Sequence, residues 1–168
     1  MENNGIQTQE INSYLTFKLG EEYFASHVSN VLNILELVKI TEVPMAPPYM
    51  KGVINLRGSV LPVVDTRIKF GLSEIEFTKN TCIIVINVDI SGDKVSVGAL
   101  VDSVQEVLEV DQKQILPPPS IGAKYKSEFI TGMIKMDNNF IMVLNLDKVF
   151  STDELSILQD TFSDVVVE

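Results

Sequence analysis

A reactive centre needs a nucleophile with a base in reach, a set of metal ligands, or a cradle for phosphate. This chain offers little of any of them. It has one cysteine, Cys82, and one histidine, His27. Cys82 lies in Thr-Cys-Ile-Ile-Val-Ile-Asn, an apolar and β-branched setting that suits a buried, inert thiol. His27 follows a strand-like segment and reads as a surface or capping histidine. No Cys–His or Ser–His–Asp set can be built from them, and no workable spacing of metal ligands is visible. The interval from Gly52 to Gly58 is not a phosphate loop. Three carboxylates, Asp65, Asp102 and Asp147, each close an apolar strand. They are candidates for acid–base work, but capping or turn duty is the default for Asp at such places. Arg57 stands apart. It is a lone cation at a turn inside a strongly apolar hairpin, beside Asn55 and Gly58, and arginine is enriched at protein-interface hot spots.

The elements that hold these residues read mostly as strands. Ser13–Leu19 alternates, Gly20-Glu21-Glu22 turns, and Tyr23–Ser26 returns as a hairpin. Val28, Val31, Ile34 and Leu35 are spaced at i, i+3, i+6 and i+7, which is ambiguous but suits one or two helical turns better than a strand, and the segment becomes strand-like toward Leu37-Val38. Pro48–Lys51 fits a single helical turn. Gly52–Asp65 reads as two strands turned at Arg57-Gly58, with Pro62 at an edge or bulge and Asp65 as a helix N-cap. Cys82–Val88, Val95–Val101 and Val104–Val110 are three more strands. Phe129–Met136 and Phe140–Leu146 form another hairpin. Ser151 with Glu154 makes a capping box, and Leu155, Leu158 and Phe162 line one face of a terminal helix.

The two halves echo each other at an offset of about 80 residues. Tyr49–Ile54 matches Phe129–Ile134, and Val60–Val64 matches Phe140–Leu144. Val28–Val31 echoes Val101–Val104 at a shorter offset, and each hairpin echo is followed by an Asp, Asp65 or Asp147, near a short helix. The expected fold is mainly β, with two small five-stranded barrels packed on a shared core.

Composition narrows the function. With 168 residues and 45% apolar residues, the chain can bury a sizeable core. The formal net charge is −10 and the cations are scattered, which argues against nucleic acid and against an anionic membrane surface. The N-terminus has neither the basic nor the apolar region of a signal peptide, and no apolar run approaches the roughly 18 residues of a membrane span. A cytoplasmic protein without cofactor or metal is expected.

At the Arg57 hairpin the sequence resembles the CheW family of bacterial chemotaxis coupling proteins. The resemblance runs from about residue 13 to 162. It is densest over Ile40-Thr-Glu-Val-Pro-Met-Ala-Pro-Pro-Tyr-Met-Lys-Gly-Val-Ile-Asn-Leu-Arg-Gly-Ser-Val-Leu-Pro-Val-Val-Asp65. Further matches are Val97–Val104, Ile115-Leu-Pro-Pro118 and Phe129-Ile-Thr-Gly132. The resemblance implies two SH3-like barrel subdomains and a C-terminal helix. The corresponding division is a tail at 1–12, one domain over 13–162, subdomains at about 13–75 and 80–150, and a helix at about 152–162. It also implies a non-enzymatic adaptor of two-component signalling. Such an adaptor binds the regulatory domain of the histidine kinase CheA and the helical-hairpin tip of transmembrane chemoreceptors. Arg57 matches the family arginine linked to receptor coupling, and Gly52, Asn55 and Gly58 match beside it. Some members carry a glutamate just before the Ile34 position. This chain has Asn33 there, which leaves a charged contact at that place unsupported.

A receptor helix is expected in an apolar groove between the barrels, with Val31, Ile34, Val101 and Val104 as walls or else as plain core, and Arg57 at the rim. A second, largely apolar patch on the barrel ends is expected to dock the kinase, and the sequence assigns no residues to it. Relatives that join this module to a kinase or a receiver are not expected to fit a chain of this length. A coupler for a chemosensory pathway other than swimming fits the same residues. An acidic ligand-binding or enzymatic barrel using Asp65, Asp102 or Asp147 is the competing class.

Overall fold

The computed structural model describes residues 11–90, 92–118 and 129–150. Its strands are β1 (Ile11–Leu19), β2 (Glu22–His27), β3 (Val31–Glu36), β4 (Met50–Leu56), β5 (Ser59–Asp65), β6 (Cys82–Ile90), β7 (Asp93–Val101), β8 (Ser103–Asp111), β9 (Ile130–Met136) and β10 (Asn139–Leu144). Two short helices, α1 (Thr66–Lys69) and α2 (Leu146–Phe150), follow β5 and β10.

The strands form two five-stranded sheets, ordered β8-β1-β2-β10-β9 and β3-β6-β7-β5-β4. Each closes on itself. The chain beyond β3 reaches β4 through the Thr41–Val53 bridge, and the chain beyond β8 reaches β9 through the Leu116–Met133 bridge. At both seams the backbones cross over a glycine. A Cβ on Gly52 would lie 2.2 Å from the Thr41 carbonyl oxygen, and one on Gly132 would lie 2.4 Å from Ile115 Cγ2. Only a residue without a side chain lets the seam shut.

The barrels do not follow the expected boundary between 75 and 80. One barrel is contiguous, β3 to β7, and is inserted into the other. The other is split and takes β1 and β2 from before it and β8, β9 and β10 from after it. The cause lies in the links. Only Val28–Asn30 separates β2 from β3, as one turn of 3-10 helix, and only Asp102 separates β7 from β8. Asp102 alone is too short for a hairpin loop, and the residues before β3 are spent on the helical turn, so each strand carries on into the neighbouring barrel. The repeat is real at the level of strand order. Each barrel combines the first hairpin of one repeat with the last three strands of the other.

Two local expectations change. Residues 31–36 are a strand, not helical turns, because the β-branched Val31 and Ile34 sit on a pleated edge. The chain at 48–49 is a turn, and β4 begins at Met50, so no helical turn forms there. Pro62 lies in β5 one residue before its parallel pairing with β7 starts at Val63, so no ladder bond is lost. The terminal helix and the flexible tail fall outside the described residues, except that Ile11 and Asn12 already belong to β1.

The largest core lies between the barrels. Along β6, Ile83 and Val85 face the inside of the inserted barrel, while Ile84, Ile86 and Val88 belong to the central cluster. Burial on both faces explains the continuous apolar run of that strand. Phe17 and Phe24 of the split barrel stack at 5.9 Å, and Phe24 reaches Phe70, just past α1, at 5.5 Å. An ion pair ties the barrels. Arg67 Nη1 donates to Asp102 Oδ2 at 2.6 Å, and the same oxygen accepts from the Gly20 amide at 2.7 Å.

Candidate protein-docking site

The β4–β5 turn sets the position of Arg57. Arg57 and Gly58 both have positive φ, 53° and 86°, and Asn55 Oδ1 accepts the Gly58 amide at 2.8 Å. A non-glycine residue held at positive φ is a costly choice. It aims Arg57 to the rim of the inserted barrel's open end. That end is a depression of about 700 Å³ lined by Leu32, Asn33, Leu56, Arg57, Ser59 and Val60, with Lys94, Val95 and Ser96 opposite and Leu61 and Val85 below. Arg57 is exposed and has no hydrogen bond or ion pair among the described residues. Leu32 is 55% exposed and Val60 45%, so the rim of this mouth carries exposed apolar side chains, and Ile34 is exposed beside it on β3. Asn33 Oδ1 accepts the amide of Ile34 at 2.8 Å.

The structure brings together Asn33, Arg57, Asn55 and Gly58 of the expected set, with Ile34 beside them on β3. It separates the others. Val101 is 1% exposed and sits in the central core, so it cannot wall a groove. Val31 and Val104 pack half-buried against the same core. Gly52 is part of the barrel seam. The expected groove between the barrels is, over these residues, filled by core, and Arg57 rims the end of one barrel instead.

The three carboxylates are spoken for. Asp65 Oδ1 caps α1 through the Arg67 amide at 3.0 Å, and burial pushes its carboxyl above the ordinary value. Asp102 holds the barrel tie. Asp147 Oδ1 accepts the Asp89 amide at 2.9 Å. The true counterpart of Asp65 is Asn145, whose Oδ1 accepts the Lys148 amide at α2, not Asp147. His27 is a capping residue. Its Nδ1 accepts the Ser29 amide at 3.1 Å, and its Nε2 meets Asn12 Oδ1 at 2.9 Å. Burial raises the Cys82 thiol, the opposite of what a nucleophile needs. No group of three metal-ligating side chains occurs among the described residues. Among them, too, no helix is long and apolar enough to cross a membrane.

The family described as the CheW-like domain matches residues 13–154. The chain belongs to that family. It is 31% identical to a chemotaxis protein CheW of Klebsiella aerogenes, over 88% of this chain and 86% of that one. It is 36% identical to a CheW of Rhizobium meliloti, over 83% and 88%. The crystal structure of a CheW scaffolding protein from Thermoanaerobacter tengcongensis superposes with a TM-score of 0.74 at 31% identity, covering 85% of this chain and 94% of that one. The CheW-like fold is thus a pair of barrels, and here its inserted barrel carries the apolar mouth.

Leu32, Val60 and Lys94 were not visible as site residues in the sequence. The signal was present for Leu32. Leu32 and Ile34 alternate with Val31, Asn33 and Leu35, so a strand there puts two large apolar side chains outward.

Proposed function

We propose that this CheW-family chain couples transmembrane chemoreceptors to a CheA-type histidine kinase in the cytoplasm. In this reading it is an adaptor with no reaction of its own. Its family role is chemotaxis coupling. The observation that carries the receptor reading is Arg57, held at positive φ over the exposed Leu32 and Val60 with its guanidinium uncommitted among the described residues. An apolar surface with one polar anchor suits the side of a receptor helix. Asn55 and Gly58 act on the receptor through the turn that aims Arg57. Asn33 contributes a neutral contact beside it, and Ile34 extends the apolar seat. The kinase docks on a different surface, so the adaptor transmits receptor state by holding both partners in one geometry.

The test is co-purification of the chain with a CheA-type kinase and a receptor cytoplasmic fragment. Arg57→Glu should weaken receptor capture tenfold or more, retain kinase capture, and leave the melting temperature nearly unchanged. Loss of both partners with an intact fold would refute separate surfaces. Unchanged receptor capture would refute Arg57 as the anchor.

A further inference from the structure

A small cavity of about 10 Å³ lies at the joint between the two barrels. Its wall is built from counterparts of the two repeats. Thr66 and Leu146 open the helices α1 and α2, and Phe70 and Phe150 stand at their far ends. Ser26 and Ala99 form a third pair. Val63 of β5 registers with Gly98 of β7, and its repeat partner Val143 of β10 registers with Ala25 of β2, so the next residues along, Ala99 and Ser26, correspond. All six are buried. In two of the pairs a hydroxyl in one repeat answers an alkyl group in the other, Ser26 against Ala99 and Thr66 against Leu146.

Ser26 is the polar atom that the fold does not account for. It alternates with Phe24 on β2 and so faces the central core. It is 1% exposed, and its Oγ has no hydrogen-bond partner among the described residues. A hydroxyl buried in that way carries the full cost of leaving water, and the other barrel fills the same place with Ala99 at no such cost. Thr66 Oγ1 donates its proton to the Leu100 carbonyl, which leaves its lone pairs able to accept. We propose that the cavity is a binding site for one water molecule, which accepts the Ser26 hydroxyl proton and donates to Thr66 Oγ1. A volume on the order of 10–15 Å³ is what a single water needs, and two polar partners are the fewest that hold one. The space admits no metabolite. Ser26 belongs to the split barrel and Thr66 follows the inserted one, so the water spans the joint as a second polar tie beside the Arg67–Asp102 pair. The proposal is independent of any docking partner.

High-resolution crystallography of the full chain, with and without xenon pressure, tests the occupant. The expected result is one water peak within about 3.2 Å of both Ser26 Oγ and Thr66 Oγ1, unchanged under xenon. Xenon in the cavity, or no density there, would show a dry space and overturn the proposal. Melting curves of full-chain variants give a second reading. Ser26→Ala should lower the melting temperature by about 2–4 °C, the shift expected when one net hydrogen bond is lost from a chain of this size. An unchanged or raised melting temperature would mean that the hydroxyl was an unpartnered burden, and would overturn the site. Thr66→Val should fall further, because the Leu100 bond goes with it. The double variant should fall by less than the sum of the two, since one water is lost only once. Strict addition would remove Thr66 as the second partner and refute the bridge.

Discussion

The two barrels share one backbone plan and differ at their mouths. Both have a parallel pair beside the hairpin, β5 on β7 and β10 on β2. Both shut over a glycine, and both hairpin turns begin with a non-glycine residue at positive φ, Arg57 at 53° and Asp137 at 49°. The side chains at corresponding places have diverged. Where the inserted barrel has Arg57, the split barrel has Asp137, and where one has Asn33, the other has Glu106. The split barrel's mouth is also smaller, about 180 Å³ against 700 Å³. What builds the sheet is duplicated, and what meets a partner is not. The two mouths therefore differ in charge while their sheets do not.

Six substitutions break or sharpen that comparison. The largest effect is expected at the seams. Gly52→Ala drives a Cβ into a backbone carbonyl, which cannot step aside, and should cost more than about 3 kcal/mol or abolish folding. At Gly132 the nearest atom is a side-chain methyl, with the Leu116 carbonyl oxygen at 2.9 Å, so Gly132→Ala should cost about 1–2 kcal/mol. Urea unfolding measures both, and equal losses would mean that the seams are equally rigid. Next comes the barrel tie. Asp102→Ala strands a mostly buried Arg67 and the Gly20 amide and should cost about 2–3 kcal/mol. The corresponding link residue Ser29 bonds only locally, to His27, and its alanine variant should stay within about 0.5–1 kcal/mol.

Arg57→Asp copies the other barrel's turn. It should shift stability by no more than about 0.5 kcal/mol, while receptor-fragment affinity by calorimetry falls tenfold or more. An unchanged affinity would show that the charge difference between the mouths is incidental. The smallest effect concerns the helix caps. The Asp65 carboxyl is raised by burial, so the native state favours its protonated form. Its contribution is present below the unfolded value and lost as pH rises through the folded one. Asp65→Asn borrows the cap of α2, Asn145. It should gain up to about 1 kcal/mol at neutral pH and nothing at acid pH, read from melting curves at both. A gain that persists in acid would refute burial of charge as the cause.

Much of the local structure was legible in the residues. The hairpin at Arg57-Gly58, the cap at Asp65 and the placement of Pro62 follow from turn and cap chemistry, which acts over a few residues. The five-strand period was legible too. The exchange of strands between repeats was not, because pairing partners such as Val143 and Ala25 are far apart in sequence and alternation does not name a partner. The wall residues show a second limit. Val101 and Ile34 look alike as apolar letters, yet one is core and the other surface. Only the packing of the two barrels, which presses Val101 of β7 into the shared core and leaves Ile34 of β3 outside it, tells them apart.

The insertion also sets an order of assembly. Residues 31–101 contain every strand of one barrel, so that barrel can close while the rest of the chain is still on the ribosome. The hairpin of residues 11–27 must wait for residues 103–144. Once the inserted barrel has closed, residues 31 and 101 are held at a fixed separation on strands two apart, and the next residue, Asp102, donates its amide to the Lys18 carbonyl of β1. A loop of roughly seventy residues has been tied off in advance, and the late strands meet the early hairpin without that entropy left to overcome.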